Sequence, residues 1–143
     1  GQGVEWVMSI FMQKVLNNEA PLVFGDGSQV RCFTYIADIV SGIETVMGKG
    51  AKGEAYNIAN TDQITMKELA ELIIKVSGKD LKPKILGFGK ETRIKEREIM
   101  IRIPSIEKLK KLGWKPKIGI KEGIEKTYNW YKENLGKEEL FYE

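Results

Sequence analysis

The sequence contains no histidine and a single cysteine, Cys32, among its 143 residues. Without histidine there is no Ser–His or Cys–His nucleophile pair and no imidazole metal ligand. One cysteine excludes an internal disulfide and a cysteine-based zinc cluster, and it favours a reducing, cytoplasmic location. We therefore predict no metal site. Any chemistry has to use carboxylates, Lys, Tyr, Ser, Thr or Arg.

Long apolar stretches are also missing. No run approaches the ~18 residues that a membrane span needs, and the N-terminus has no signal-peptide pattern. The net charge of +3 permits an anionic ligand, but the aromatic residues do not interleave with a basic stripe. We predict neither a membrane nor a nucleic acid as partner.

Arginine is scarce beside lysine. Its four positions are Arg31, Arg93, Arg97 and Arg102, so three of them fall within ten residues. The planar guanidinium suits a bidentate grip on phosphate or carboxylate, whereas lysine is a flexible point charge. The grouping is compatible with an anion site and also with chance.

Hydrophobic periodicity predicts an α/β chain forming a single domain over residues 1–143. Helices are expected at 4–17, from Ala37 to the glycines at 48–53, and at 66–78, 106–113 and 120–136; strands are expected at "PLVF", "RCFTYI", "EAYNIA" and "KPKILGF", with a polar loop at 88–98. Thr65 and Glu68 form a capping box, and Ser105 is expected to cap the fourth helix. The strands are too few for a complete doubly wound domain.

Two familiar motifs occur without the context that gives them meaning. "GKGAKG" (48–53) matches Gly-x-Gly-x-x-Gly, but a helix is predicted before it and a strand after it, the reverse of a dinucleotide fingerprint. Tyr128 and Lys132 spell Tyr-x-x-x-Lys. Tyr128 lies on an apolar helix side beside Trp130 and Tyr131, which favours a packed core tyrosine.

The stretch "GDGSQVRCFTYIADIV" (25–40) is more informative. A Gly-Asp-Gly turn reverses the chain, and Arg31 then begins a strand at the mouth of the loop. An arginine on a rigid strand beside a turn can hold a phosphate in fixed geometry. From the local residues alone, a surface arginine at a hairpin end is equally compatible.

Four stretches taken together carry a resemblance: "GDGSQVRCFTYIADIVSGIETVM", "GEAYNIAN", "TMKELAELI" and "RIPSIEKLKKLGWKPK". In order and spacing they resemble the C-terminal part of extended short-chain dehydrogenases, the NAD-dependent nucleotide-sugar epimerases, dehydratases and decarboxylases. "RIPSIEKLKKLGWKP" is most similar to UDP-glucuronate decarboxylases. Departures from the family's usual wording are Ile36, Ala59 and Ile103.

The resemblance implies roles for several residues. Arg31 would bind the nucleotide diphosphate and Phe33 would lie near the nucleotide. Arg102 would lie in the active site near the sugar, as a possible catalytic residue. Arg93 or Arg97 would touch phosphate or ribose. Gln29 and Asp38 would support the turn and cap the helix that follows.

The resemblance also implies what this chain lacks, namely the Gly-rich Rossmann loop and the catalytic Tyr-x-x-x-Lys with its Ser or Thr. We therefore expect a substrate-binding portion that takes a nucleotide-diphosphate sugar, binds no NAD alone, and is inactive alone. The alternative is a non-catalytic binding or subunit-assembly module. Since "EAYNIA" would lie in the family's Rossmann sheet, we expect Val4, Val7, Met8 and Phe11 or this edge to be exposed. The chain would then be a homo-oligomer or pair with a separate Rossmann subunit.

Overall fold

The computed structural model describes residues 6–87 and 99–134. The helices are α1 (Val7–Leu16), α2 (Ile36–Lys49), α3 (Met66–Ser77), α4 (Glu107–Lys111) and α5 (Ile120–Asn134), and the strands are β1 (Leu22–Phe24), β2 (Val30–Cys32), β3 (Gln63–Thr65) and β4 (Lys84–Leu86). The α/β class is confirmed. The loop predicted at 88–98, with Arg93 and Arg97, lies outside the described residues.

Helices α1, α3 and α5 pack against one another and form the main core. Their apolar stripes supply fully buried side chains: Phe11, Met12, Val15, Leu69, Ile73 and Ile124. The predicted exposure of α1 is wrong, because α3 and α5 cover it; Phe11 is buried and Val7 and Met8 are half-buried against the core. Val4 lies outside the described residues.

Helix α3 begins and ends as its sequence predicts. The Thr65 hydroxyl accepts from the N–H of Glu68, and the Glu68 carboxylate accepts from the N–H of Thr65 at 2.9 Å. This reciprocal pair satisfies two N–H groups that an α-helix leaves open. At the other end Gly78 adopts a left-handed conformation with φ +69°, which glycine reaches without steric cost.

The strands form two small sheets. Strand β1 pairs in parallel with β4, and β2 pairs antiparallel with β3, which the sequence did not predict. The Gly25–Ser28 turn therefore joins two different sheets. Gly27 has φ +77°, and a Cβ there would lie 2.8 Å from Lys67 Cβ and Val23 Cγ1. Only glycine lets the chain turn this close to α3.

The strand predicted at "EAYNIA" is wrong. Residues 54–59 have no paired strand among the described residues. A strand-type sequence requires a neighbouring strand to complete its hydrogen bonds. Instead, Tyr56 and Ile58 pack with Ile106, Leu109 and Trp114 in a second, smaller core between α2 and α4.

The cap expected at the start of α4 is wrong. Ser105 does not cap α4, which begins at Glu107 after Ile106 without a side-chain cap. Instead the Ser105 carbonyl accepts from the Asn57 amide at 2.9 Å. Helix α5 extends to Asn134, the last described residue, and the end predicted at 136 lies outside the described residues. Tyr128 is buried as predicted.

Candidate functional site

Strand β2 has a second neighbour that comes from far along the chain. The N–H of Val30 donates to the Met100 carbonyl at 2.7 Å, and the N–H of Arg102 donates to the Val30 carbonyl at 3.1 Å. Val30 and Ile101 are thus paired in parallel. The next position in register places Arg102 beside Arg31, so the structure brings two of the predicted site residues together.

Arg31 is half-buried and its side chain is held by backbone oxygens. One terminal nitrogen, Nη1, donates to the carbonyls of Val30 at 2.9 Å and Met100 at 3.4 Å. These contacts orient the guanidinium plane before any ligand arrives. Since a carbonyl is neutral, a phosphate oxygen is the stronger acceptor for such a group. Arg102 is exposed.

Phe33, two residues beyond Arg31, lines a cleft of about 210 Å³ between α1 and α5. Its other walls include Met8, Tyr35, Ile118 and Thr127. Small-molecule sites usually measure roughly 300–1,000 Å³, so this cleft is large enough for one ring of a ligand rather than for a whole nucleotide sugar. The sequence pointed to Phe33. It gave no signal for Met8, Ile118 or Thr127, because these residues come from separate elements.

Buried polar side chains fix the walls of this cleft. Asp38 is 3% exposed, and its two carboxylate oxygens accept from the N–H groups of Lys117 and Ile118, each at 3.0 Å. Asn60 donates from its amide to the Ile118 carbonyl at 2.9 Å and from its N–H to the Thr34 hydroxyl at 2.9 Å. Segments 33–35 and 117–118 are thereby tied together.

The role predicted for Asp38 is therefore wrong in part. The residue before α2 is Tyr35, which makes no side-chain cap, and Asp38 faces the connector into α5 instead. Gln29 supports the turn as predicted. It is 3% exposed, and its amide donates to the Phe24 carbonyl at 3.0 Å across the turn.

Cys32 adjoins Arg31 without being a reactive nucleophile. Burial raises the pKa of the Cys32 thiol above its ordinary value near 9.0, and the negative charge of Asp62 raises the pKa further. The protonated form therefore predominates at neutral pH, and it is the thiolate that reacts.

A larger concavity on the described surface lies elsewhere. It measures about 490 Å³ and lies between α3 and residues 81–85, with Lys67, Lys75 and Lys82 at its rim. Of the predicted site residues that the structure describes, Arg31, Phe33 and Arg102, none lines it. We therefore place the candidate site at β2 and the Phe33 cleft.

Comparison with known proteins identifies the family. The family model described as GDP-mannose 4,6 dehydratase matches residues 2–127. The chain belongs to this family of NAD-dependent nucleotide-sugar epimerases, dehydratases and decarboxylases, the extended short-chain dehydrogenases. It is 36% identical over 135 residues to the UDP-glucuronate 4-epimerase of Thermodesulfobacterium geofontis, covering 90% of this chain and 39% of that protein.

Two further relatives agree. The UDP-N-acetyl-alpha-D-glucosaminuronate decarboxylase of Bacillus cytotoxicus is 31% identical over 128 residues, which cover 89% of this chain and 40% of the relative. The crystal structure of a UDP-glucose 4-epimerase with UDP-glucose from Thermotoga maritima superposes with a TM-score of 0.81 at 29% identity, over 94% of this chain and 41% of that one. The chain thus spans about 40% of the length of these relatives and corresponds to a C-terminal-type portion.

The family's NAD does not fit the glycine motif of this chain. Residues 48–53 begin in the last turn of α2, which ends at Lys49, and the next helix in the described part of the chain, α3, begins only at Met66. A dinucleotide pyrophosphate is bound at a helix N-terminus directly after such a loop. Tyr128 is 6% exposed and packs in the main core, which favours a core tyrosine over a catalytic one.

Neither a membrane-spanning helix nor a metal-binding cluster is found among the described residues. No helix there is long and apolar enough to cross a membrane. Likewise, the described part of the chain holds no group of three or more Cys, Asp or Glu side chains that could bind a metal ion.

Proposed function

We propose that this chain is the nucleotide-sugar-binding portion of an NAD-dependent epimerase, dehydratase or decarboxylase. The observation that carries the proposal is the placement of Arg31 and Arg102 at adjacent register positions on neighbouring strands. Two guanidinium groups at one strand pair suit a ligand with more than one anionic or strongly polar group, such as a diphosphate bonded to a sugar.

Each part of the site is proposed to contact a different part of the ligand. Arg31, oriented by two carbonyls, binds the diphosphate. Phe33 packs against the nucleotide with the apolar walls of its cleft. Arg102, exposed and one strand further out, reaches the sugar, while Arg93 and Arg97 are proposed to contact phosphate or ribose.

We assign the NAD chemistry of the family to residues that are not part of this chain. In the family reaction NAD oxidises a sugar hydroxyl, and the ketone acidifies the neighbouring position. We propose that this chain alone binds the sugar nucleotide without NAD and is inactive by itself.

A thermal-shift screen tests the proposal. The chain is heated with UDP-, dTDP-, GDP- and CDP-sugars, and with NAD as the control. We expect at least one sugar nucleotide to raise the melting temperature in proportion to the logarithm of its concentration, because a ligand that binds only the native state stabilises it. Stabilisation by NAD and by none of the sugars would contradict the proposal.

A further inference from the structure

The concavity of about 490 Å³ between α3 and residues 81–85, called here the α3–β4 groove, has two walls of similar length. From Lys67 to Lys75 helix α3 rises about 12 Å, and residues 81–85 span at most about 14 Å. Four residues of an extended chain have that length. The apolar lining consists of Ile74 on α3 and of alternate residues on the other wall: Leu81, Pro83 and Ile85.

The rim of the α3–β4 groove carries an excess of positive charge. Lys67, Lys75 and Lys82 line the groove together with one acid, Glu71. Glu71 lies 4.0 Å from Lys67 and both side chains are exposed, so this ion pair is weak. Lys75 and Lys82 form no ion pair with any residue that the structure describes. Two such cations beside an apolar floor favour a ligand that has both carboxylates and apolar groups.

Strand β4 presents backbone groups to the same groove. Its bonds to β1 include that from the N–H of Lys84 to the Pro21 carbonyl at 2.9 Å and that from the N–H of Gly25 to the Leu86 carbonyl at 2.7 Å. Since successive residues of a strand direct their backbone groups to opposite edges, those of Ile85 face the outer edge. No strand of the described ranges pairs with this edge. An exposed sheet edge beside side-chain pockets is the type of site that binds an extended peptide.

We propose that the α3–β4 groove docks an acidic, extended segment of a partner protein, which adds a strand to the outer edge of β4. Apolar side chains of the segment pack on Ile74 and Ile85, and its carboxylates pair with Lys75 and Lys82. A small organic anion uses the lysines but leaves the backbone of Ile85 without a partner. Lysines also protect an edge strand from unwanted pairing, but Lys75 belongs to α3 and not to the edge.

Labelled hexapeptides test the proposal on the full chain. The probe is fluorescein-EVEVEV-amide, which alternates acidic and apolar residues, and KVKVKV is the charge control. Two further versions of EVEVEV carry N-methyl groups, one on its valine nitrogens and one on its glutamate nitrogens. Only one of these two sets of N–H groups can face β4, because backbone groups alternate along a strand.

The protein variants reverse one charge each. Lys75→Glu and Lys82→Glu change the rim of the groove. Lys52→Glu is the matched control, since Lys52 is exposed and lines neither this groove nor the Phe33 cleft. Fluorescence polarisation gives the Kd of each peptide, and amide hydrogen exchange follows the N–H of Ile85. Thermal shift with a UDP-sugar is measured on the same variants.

We expect EVEVEV to bind with a Kd below about 1 mM and KVKVKV to show no binding. One N-methylated peptide should bind within about threefold of EVEVEV, and the other at least roughly tenfold more weakly, because it lacks the donors for β4. Lys75→Glu and Lys82→Glu should each raise the Kd at least about fivefold, and Lys52→Glu less than about twofold. The Ile85 amide should exchange more slowly with the peptide bound.

The shift caused by the UDP-sugar should be the same in all three variants, so this test is independent of the nucleotide-sugar site. Three results would overturn the proposal. Equal Kd values for the two N-methylated peptides would exclude strand pairing. Displacement of EVEVEV by citrate at concentrations near the peptide's own Kd would make the groove a site for small anions. Absence of binding, or binding that Lys75→Glu and Lys82→Glu leave unchanged, would show that no acidic segment docks in this groove.

Discussion

The N–H of Arg102 donates to the carbonyl of Val30 at 3.1 Å, and through this bond Arg102 lies one strand away from Arg31. The two arginines come from distant parts of the sequence and meet only because residues 99–102 add to the edge of β2. Arg31 is oriented by carbonyls, whereas Arg102 is exposed. Because their surroundings differ, we expect substitutions of Arg31 and of Arg102 to have different effects on ligand binding.

Arg31→Lys should weaken the binding of a UDP-sugar and of UDP alike. Lysine keeps the charge but replaces a planar fork with one point charge. We expect a loss of about 1–3 kcal/mol, roughly 5- to 150-fold in Kd. Titration calorimetry measures it, with Lys115→Ala as a control that removes an exposed charge from a residue that does not line the Phe33 cleft. An unchanged Kd would exclude Arg31 from the diphosphate site.

The residues around Arg31 show how far the sequence could predict the site. The turn, the arginine and Phe33 are contiguous, so local pattern and resemblance located them. The pairing of Val30 with Ile101 and the walls at Ile118 and Thr127 depend on how distant segments pack, and no local periodicity encodes that. The capping box of α3 is a local feature and was predicted. Residues 54–59 have strand-type composition, but a strand also needs a partner, and composition does not supply one.

Gly27→Ala should destabilise the chain more than Gly53→Ala. Both glycines have positive φ, +77° and +80°, so each alanine meets similar backbone strain, about 1–2 kcal/mol. Only at Gly27 does the new Cβ also overlap Val23 and Lys67, which adds about 1–3 kcal/mol. Urea unfolding compares the two variants. Equal losses in the free energy of unfolding would mean that the chain around the turn shifts to accommodate the Cβ at residue 27.

Asp38→Asn should lower the free energy of unfolding by about 1–3 kcal/mol. An amide has one oxygen for the two N–H donors of Lys117 and Ile118, and its NH₂ group faces the other donor. The exposed Glu44, on the same helix, provides the control: Glu44→Gln should change the stability by less than about 0.5 kcal/mol. If Asp38→Asn changed the free energy of unfolding as little as Glu44→Gln, the hydrogen bonds to Asp38 would not stabilise the fold.

The capping box should make part of the stability depend on pH. The backbone N–H and the hydroxyl of Thr65 both donate to the Glu68 carboxylate, and they lower its pKa below the ordinary value near 4.5. The N–H has the larger effect. Because the pKa is lower in the folded chain than in the unfolded one, the stabilisation is complete above about pH 4.5 and is lost as the pH falls through the folded value.

Thr65→Ala should cost about 0.5–2 kcal/mol at pH 7. The difference in unfolding free energy between wild type and Glu68→Gln should shrink when the urea titration is repeated below the folded pKa. A difference that stays constant across this range would show that the charged carboxylate is not what stabilises the helix end.

Arg102→Ala should separate the sugar from the diphosphate. Arg102 is exposed and lies one strand beyond Arg31. We therefore expect the variant to weaken the binding of a UDP-sugar by about 1–3 kcal/mol and to leave the Kd of UDP within about twofold of the wild-type value. Calorimetry with both ligands gives the comparison, and Lys115→Ala should leave both affinities unchanged. Equal losses for UDP and the UDP-sugar would mean that Arg102 joins Arg31 at the diphosphate. In that case the sugar specificity would reside in other residues.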